Sequence, residues 1–252
     1  IATTRLQSLS LDVSSPWLRA RARITASGIQ SLVSHILNKA LHLTTLTLCL
    51  ERQSIGPQGV HLLSAWLRGA SGLQHLGLYL RSNDVGRRAL VSIFNTIPEG
   101  LRSLQLGLQD CHLTTGLPLL VCHSLDRMVS LRHVTLLLDG NRFCEYGLCQ
   151  LISTFGAMPL LHSFVLSLAR TGANFHRTSV RIAQLLNRVQ TAHVNLGDNG
   201  LYFQSALQLI TSLGTFFTGK ELVVDFRHNG WSVHGRDLVA TLARRHGIVA
   251  LV

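Results

Sequence analysis

Cysteine is scarce: 5 in 252 residues, too few for a small disulfide scaffold. With 5 prolines and 21 glycines the chain is neither collagen-like nor of low complexity. Aromatic residues make up 6% and charged residues 14%, against 46% hydrophobic, a balance that excludes intrinsic disorder. Long apolar runs are missing as well. None approaches the roughly 18 residues of a membrane-spanning helix, so no transmembrane segment is expected. None of the nine asparagines has Ser or Thr two residues on, so no N-glycosylation acceptor exists. GxSxG, GxxxxGK[ST], HExxH and GxGxxG are all absent. Acids are few, 12 against 23 bases, and the resulting charge of +11 favours acidic proteins, nucleic acid or an anionic surface as neighbours. Lys39 and Lys220 are the only lysines, so the positive charge is carried almost wholly by arginine.

What is present is a repeat. LTTLTLCL at Leu43 recurs as LQHLGLYL at Leu73, LRSLQLGL at Leu101, LRHVTLLL at Leu131 and LHSFVLSL at Leu161. A degraded copy begins at Leu6, and two more lie around Val194 and Val224. Each copy can be anchored on the residue three after its last strand apolar: Pro16, Gln53, Asn83, Cys111, Asn141, Thr171, Asn199 and Asn229. The spacings are 37, 30, 28, 30, 30, 28 and 30, so the repeats begin near 6, 43, 73, 101, 131, 161, 191 and 221. The long first interval places an insertion at about 16–23.

Seven, five and three residues before each anchor the sequence is apolar in every copy, as in Leu46, Leu48 and Leu50. Alternation over three pleats predicts a half-buried strand. Two after the anchor comes a further apolar row, from Leu18 and Ile55 to Trp231. An asparagine anchor supplies an amide to hydrogen-bond the backbone where the strand ladder ends. The second half of each copy changes period. Leu148, Leu151, Ile152 and Phe155 form a helical stripe, as do Leu62, Leu63, Trp66 and Leu67, and in shorter form Leu238, Val239 and Leu242. Arg244, Arg245 and His246 before Gly247 suit a helix C-terminus.

Strand, turn and helix at this period resemble the ribonuclease-inhibitor-like class of leucine-rich repeat. The pattern LxxLxLxLxxN has one more apolar strand position than the short form LxxLxLxxN. The resemblance implies an α/β solenoid of about eight repeats forming one domain over 1–252, a horseshoe with a parallel concave sheet and convex helices. No polar cap is evident at either end, so another chain or further sequence is expected to cover at least one. Ile248 to Val252 read as the start of a ninth strand. A GTPase-activating family shares this repeat class, but its strongly acidic segment has no counterpart here.

Alternate strand positions point into the hollow, and they are mostly small and polar. Asp12, Glu51, Asp139, Glu221 and Asp225 against Arg81 and Arg227 make those rows net acidic. The positive charge therefore belongs to the helices and edges. Candidate concave contacts are Glu51, Tyr79, Arg81, Asp139, Asn195, Asp225 and Arg227, with Tyr79 the only aromatic. Candidate contacts for phosphates or an acidic partner are Arg19, Arg21 and Arg23 in the insertion, then Arg87 and Arg88, then Arg244 and Arg245. RNA reading by sequence would want aromatics beside these arginines, and only Trp17 is adjacent.

Cys111–His112 and Cys122–His123, with Cys144 and Cys149, suggest zinc, but their phases set them on an anchor, a helix and the next copy. A closed zinc site needs four ligands converging at roughly 2.0–2.3 Å. His75 and His133 share a concave row with no nucleophile paired to either. The chain thus reads as a non-catalytic protein-interaction scaffold without cofactor, one subunit of a larger assembly. The alternative is a module that contacts RNA phosphates through arginine-rich edges, for example in an organellar ribonucleoprotein. The scattered cysteines and the missing glycosylation acceptor lead to the expectation of an intracellular setting, either the cytosol or a processed import into mitochondrion or plastid. Ile1 opens no charged-then-apolar leader, so either a targeting segment has been removed or the chain starts late.

Overall fold

A computed structural model of the chain describes residues 6–14, 23–113, 117–172, 175, 178–213 and 220–252, with backbone alone at 117–120. Strand and helix alternate throughout: β1 (Ser8–Asp12), α1 (Ala26–His35), β2 (Thr45–Cys49), α2 (Gly56–Leu67), β3 (His75–Tyr79), α3 (Arg87–Thr96), β4 (Ser103–Gly107), α4 (Leu117–Leu125), β5 (His133–Leu137), α5 (Glu145–Ala157), β6 (Ser163–Ser167), α6 (Thr178–Leu186), β7 (Thr191–Asn195), α7 (Phe203–Leu213), β8 (Glu221–Asp225), α8 (Val233–Arg245) and β9 (Val249–Leu251). The nine strands form one open parallel sheet in sequence order. Strands repeat at about 4.8 Å, whereas packed helices need about 8–10 Å. The helical side is therefore wider than the strand side, and the chain is a leucine-rich-repeat-like horseshoe solenoid. The carboxyl-terminal segment supplies the ninth strand, paired to β8.

The register is that of the repeat. Leu46 lies beside Leu76, Leu76 beside Leu104 and Leu104 beside Val134. From the second repeat to the eighth these rows are buried, whereas Leu9, Leu11 and Val13 of the first are half-buried. Ile55, Val85, Leu113, Phe143 and Leu201 fill the row after the anchor, where Leu18 and Ala173 lie outside the described residues.

The anchors sew the turns together. Asn141 donates through Nδ2 to the carbonyls of Leu108 (2.7 Å) and Leu138 (2.9 Å), and its Oδ1 accepts from the N–H groups of Cys111 (3.2 Å) and Leu113 (3.0 Å). Asn229 does the same for Leu196, Phe226, Asn199 and Leu201. Gln53 substitutes with its longer amide, bonding the backbone of Ile24, Val13 and Glu51. Cys111 reaches the Leu80 carbonyl through Sγ at 3.2 Å. Burial pushes that thiol up to about 11, so it stays protonated and donates. Just before each anchor the backbone is left-handed, at Arg52, Ser82, Asp110, Arg170, Asp198 and His228. Gly140 holds the same place, and a Cβ there would meet Asp110 Oδ1 at 2.0 Å.

Two helical stripes differ from the periodic reading. In α2 the buried face is Val60, Leu63, Ser64 and Leu67, with Leu62 and Trp66 half-buried at its flank. Ser64 is accommodated because its hydroxyl meets Ser92 (2.7 Å) and Thr96 (3.1 Å) of α3. In α8 Val239 and Ala243 are buried, but Leu238 is 40% exposed. No described helix follows α8 to cover it. The α5 stripe of Leu148, Leu151, Ile152 and Phe155 is buried as read.

Candidate functional site

Most candidate contacts in the hollow are held by neighbouring side chains. Asp139 accepts from the Ser167 hydroxyl (2.5 Å) and the Ala169 N–H (2.7 Å), and Asn195 donates to the same hydroxyl at 3.0 Å. Asp139 and Asn195, two strands apart, are therefore joined through Ser167. Asp225 is buried and receives Arg227 in a forked pair, Nη2 to Oδ2 at 2.6 Å and Nε to Oδ1 at 3.0 Å, together with the Arg227 N–H. Tyr79 donates to Gln105 at 2.5 Å. Its ring lies against Gly107, where a Cβ would come within 2.8 Å of it. Burial, then the neighbouring Cys49 and Glu51, raises the Tyr79 hydroxyl above its ordinary value. Arg81 leaves the hollow for Asp110 at 3.4 Å, which also meets Arg170 at 3.7 Å. Glu51 is half-exposed.

Burial raises the Asp225 carboxyl, but the Arg227 guanidinium and N–H outweigh it and hold the group below its ordinary 3.8. A folded value below the unfolded one stabilises above pH 3.8 and is lost as the pH falls through the folded value. Asp225→Asn should therefore flatten the acid limb of the stability curve below about pH 4. Denaturant midpoints measured from pH 6 down to pH 2.5 check this. A variant that tracks the parent curve would remove the assignment.

The cationic candidates fall in separate places. Arg19 and Arg21 lie outside the described residues, and Arg23 is exposed at the edge of that segment. Arg87 and Arg88 are exposed in the first turn of α3. They line an open groove of about 740 Å³ with Pro57, His61 and Gly86. Positive charge at a helix start opposes the helix dipole, so this pair is not there for the helix. Arg244 and Arg245 are exposed in the last turn of α8, which suits the dipole. The fold does not bring the α3 pair and the α8 pair together.

A further charge pattern depends on the fold. At the starting rim, from the last turn of each helix through the first residue of the next strand, nine bases face three acids among the described residues. At the finishing rim, from the last residue of each strand through the first turn of the next helix, ten bases face eight acids. Among the described residues the starting rim therefore carries the larger excess of positive charge. Three of its bases reach back to close the helix end of the preceding repeat: Arg127 on the Asn95 carbonyl (3.3 Å), Arg188 on Gly156 (2.5 Å) and Lys220 on Asn187 (2.5 Å). Arg102 and Arg132, one residue before β4 and β5, are exposed and carry no ion pair or side-chain hydrogen bond among the described residues. Periodicity could have found them, since both stand nine before an anchor.

Cys111, Cys122, Cys144 and Cys149 occupy an anchor, α4, the N-cap of α5 and α5 itself. Among the described residues no three His, Cys, Asp or Glu side chains are grouped to hold a metal ion, and no described helix is long and apolar enough to cross a membrane. No family model matches the chain, and no curated protein sequence matches it.

Proposed function

We propose that this chain is a non-catalytic protein–protein interaction scaffold of the ribonuclease-inhibitor-like leucine-rich-repeat class, working as a structural subunit of a larger assembly through its basic surface and edges. The observation that supports this reading is the uneven charge. Asp139 and Asp225 in the hollow are held by their neighbours, while among the described residues the starting rim carries nine bases against three acids. Exposed cations that outnumber the acids beside them make a surface that an acidic partner neutralises. The half-buried first strand at one end of the sheet and the exposed Leu238 and Val249 at the other leave apolar groups at both ends of the solenoid.

The test is purification of the tagged chain from its native source at low and high salt, with particle mass read by light scattering. A stable complex is expected, weakened by salt. A free monomer at both salts would overturn the reading. The second reading is contact with RNA phosphates, favoured by Arg87, Arg88 and His61 around the groove at the start of α3. Binding of an oligonucleotide there should fall steeply with salt, and Arg87→Glu with Arg88→Glu should reduce that slope.

A further inference from the structure

Three loops lead into β4, β5 and β6 side by side on the starting rim. The N–H of Arg132 bonds the carbonyl of Arg102 at 2.8 Å, and the N–H of His162 bonds the carbonyl of Arg132 at 2.8 Å. Arg102, Arg132 and His162 are therefore consecutive rungs of one ladder, and all three side chains are exposed. Two like charges on adjacent rungs, about 4.8 Å apart at the backbone, repel unless something anionic lies across them. Folding alone gives no reason to put them there.

The same loops expose aliphatic side chains. Val129, three before Arg132, is 55% exposed, and Leu160, two before His162, is 48% exposed. Between α5 and α6 a groove of about 280 Å³ is lined by Ile152, Ala157 and Leu185 together with Arg181 and Arg188. Cationic and aliphatic groups thus alternate over three neighbouring repeats.

We infer that this stretch of the starting rim is the docking surface for an acidic polypeptide segment that also carries aliphatic side chains. The inference rests on the scaffold reading and names the place and the partner chemistry. Carboxylates answer Arg102 and Arg132 in forked hydrogen bonds, and aliphatic side chains cover Val129 and Leu160. A nucleic acid would use the arginines but leave the two aliphatic groups uncovered, and it gains most from aromatic faces. The exposed tyrosines, Tyr146 and Tyr202, sit at the other rim.

The experiment is fluorescence anisotropy with three labelled probes on the whole chain: an alternating Glu/Leu peptide of about ten residues, an all-Glu peptide of equal charge, and an oligouridylate of equal charge. The Glu/Leu peptide is expected to bind tightest. Arg102→Glu with Arg132→Glu should weaken it by about tenfold or more, and Val129→Ser with Leu160→Ser by about fivefold to tenfold. Arg87→Glu with Arg88→Glu should change it by less than about twofold. All substituted side chains are exposed, and circular dichroism verifies the fold of each variant. Any one of three results overturns the inference: no probe binding, equal losses from the α3 arginines, or oligouridylate binding as tight as the peptide and untouched by the serine variants. The native purification separates this failure from the wider one. A complex that persists with the rim reversed sinks the rim and keeps the scaffold, whereas a free monomer sinks the scaffold.

Discussion

Replacing Asn141 by alanine is expected to lower the unfolding free energy by about 3–5 kcal/mol. The side chain is buried and closes two turns at once, donating to the Leu108 and Leu138 carbonyls and accepting from the Cys111 and Leu113 N–H groups. Each buried backbone group left unpaired costs about 1–3 kcal/mol, partly offset if water enters. Three of the four, the Leu108 carbonyl and the Cys111 and Leu113 N–H groups, belong to the preceding repeat, so the loss weakens an interface between repeats and not one repeat alone. In a solenoid, where stability is a sum of units and their interfaces, such a change lowers the cooperativity of unfolding as well as its midpoint. Thr171 holds the same place one repeat on but offers a single hydroxyl proton, within reach of the Leu168 carbonyl (3.0 Å) and Asn199 Oδ1 (3.1 Å). Thr171→Ala is accordingly expected to cost about 1 kcal/mol. Guanidinium titrations of the two variants provide the comparison. Equal losses would show that the amide ladder is not what holds the turns.

Phe164→Ala is expected to cost about 3–5 kcal/mol. Phe164 is 1% exposed on β6 and packs its ring 5.4 Å from that of Phe155 on α5, so it ties the sheet to the helical layer. Its partner in register on β7 is Ala192, and on β5 Val134. A large ring in a row otherwise built from Leu and Val is compensated by the small residue beside it. Truncating the ring leaves a void that its neighbours on two layers cannot collapse into. Phe164→Leu keeps most of the volume and should cost about 1–1.5 kcal/mol. Thermal or guanidinium unfolding followed by far-ultraviolet circular dichroism checks both. A loss under about 1 kcal/mol for the alanine variant would mean that this part of the core is not close-packed.

Individual residues show where reading from periodicity works and where it stops. Leu48, Leu78 and Leu106 lie side by side as their equal distance from an anchor requires. Buried rows are legible because the lattice repeats the same environment at every copy, and only apolar side chains fit it. Leu238 occupies an inward-looking phase of α8 yet is exposed, because its burial would need a neighbour on the far side. Asp225 was legible as an acid facing the hollow, but its burial beneath Arg227 depends on one rotamer closing over it. Arg87 and Arg88 could be named from adjacency in the chain, whereas Arg102 and Arg132 stand thirty residues apart and become neighbours only through the ladder bond between them.

Sequence by itself determined the period and the phase of strand and helix, because a local alternation of apolar and polar residues selects which face is buried wherever it recurs; the parallel horseshoe came from the resemblance that this period carries. Tertiary structure alone decided which charges are spent and which are left over. Carbonyl contacts such as Arg188 to Gly156 join residues 32 apart through side-chain reach and direction, which the apolar pattern does not encode. For the same reason the excess positive charge, visible from the start as a number, acquired a location only when the rims were assembled.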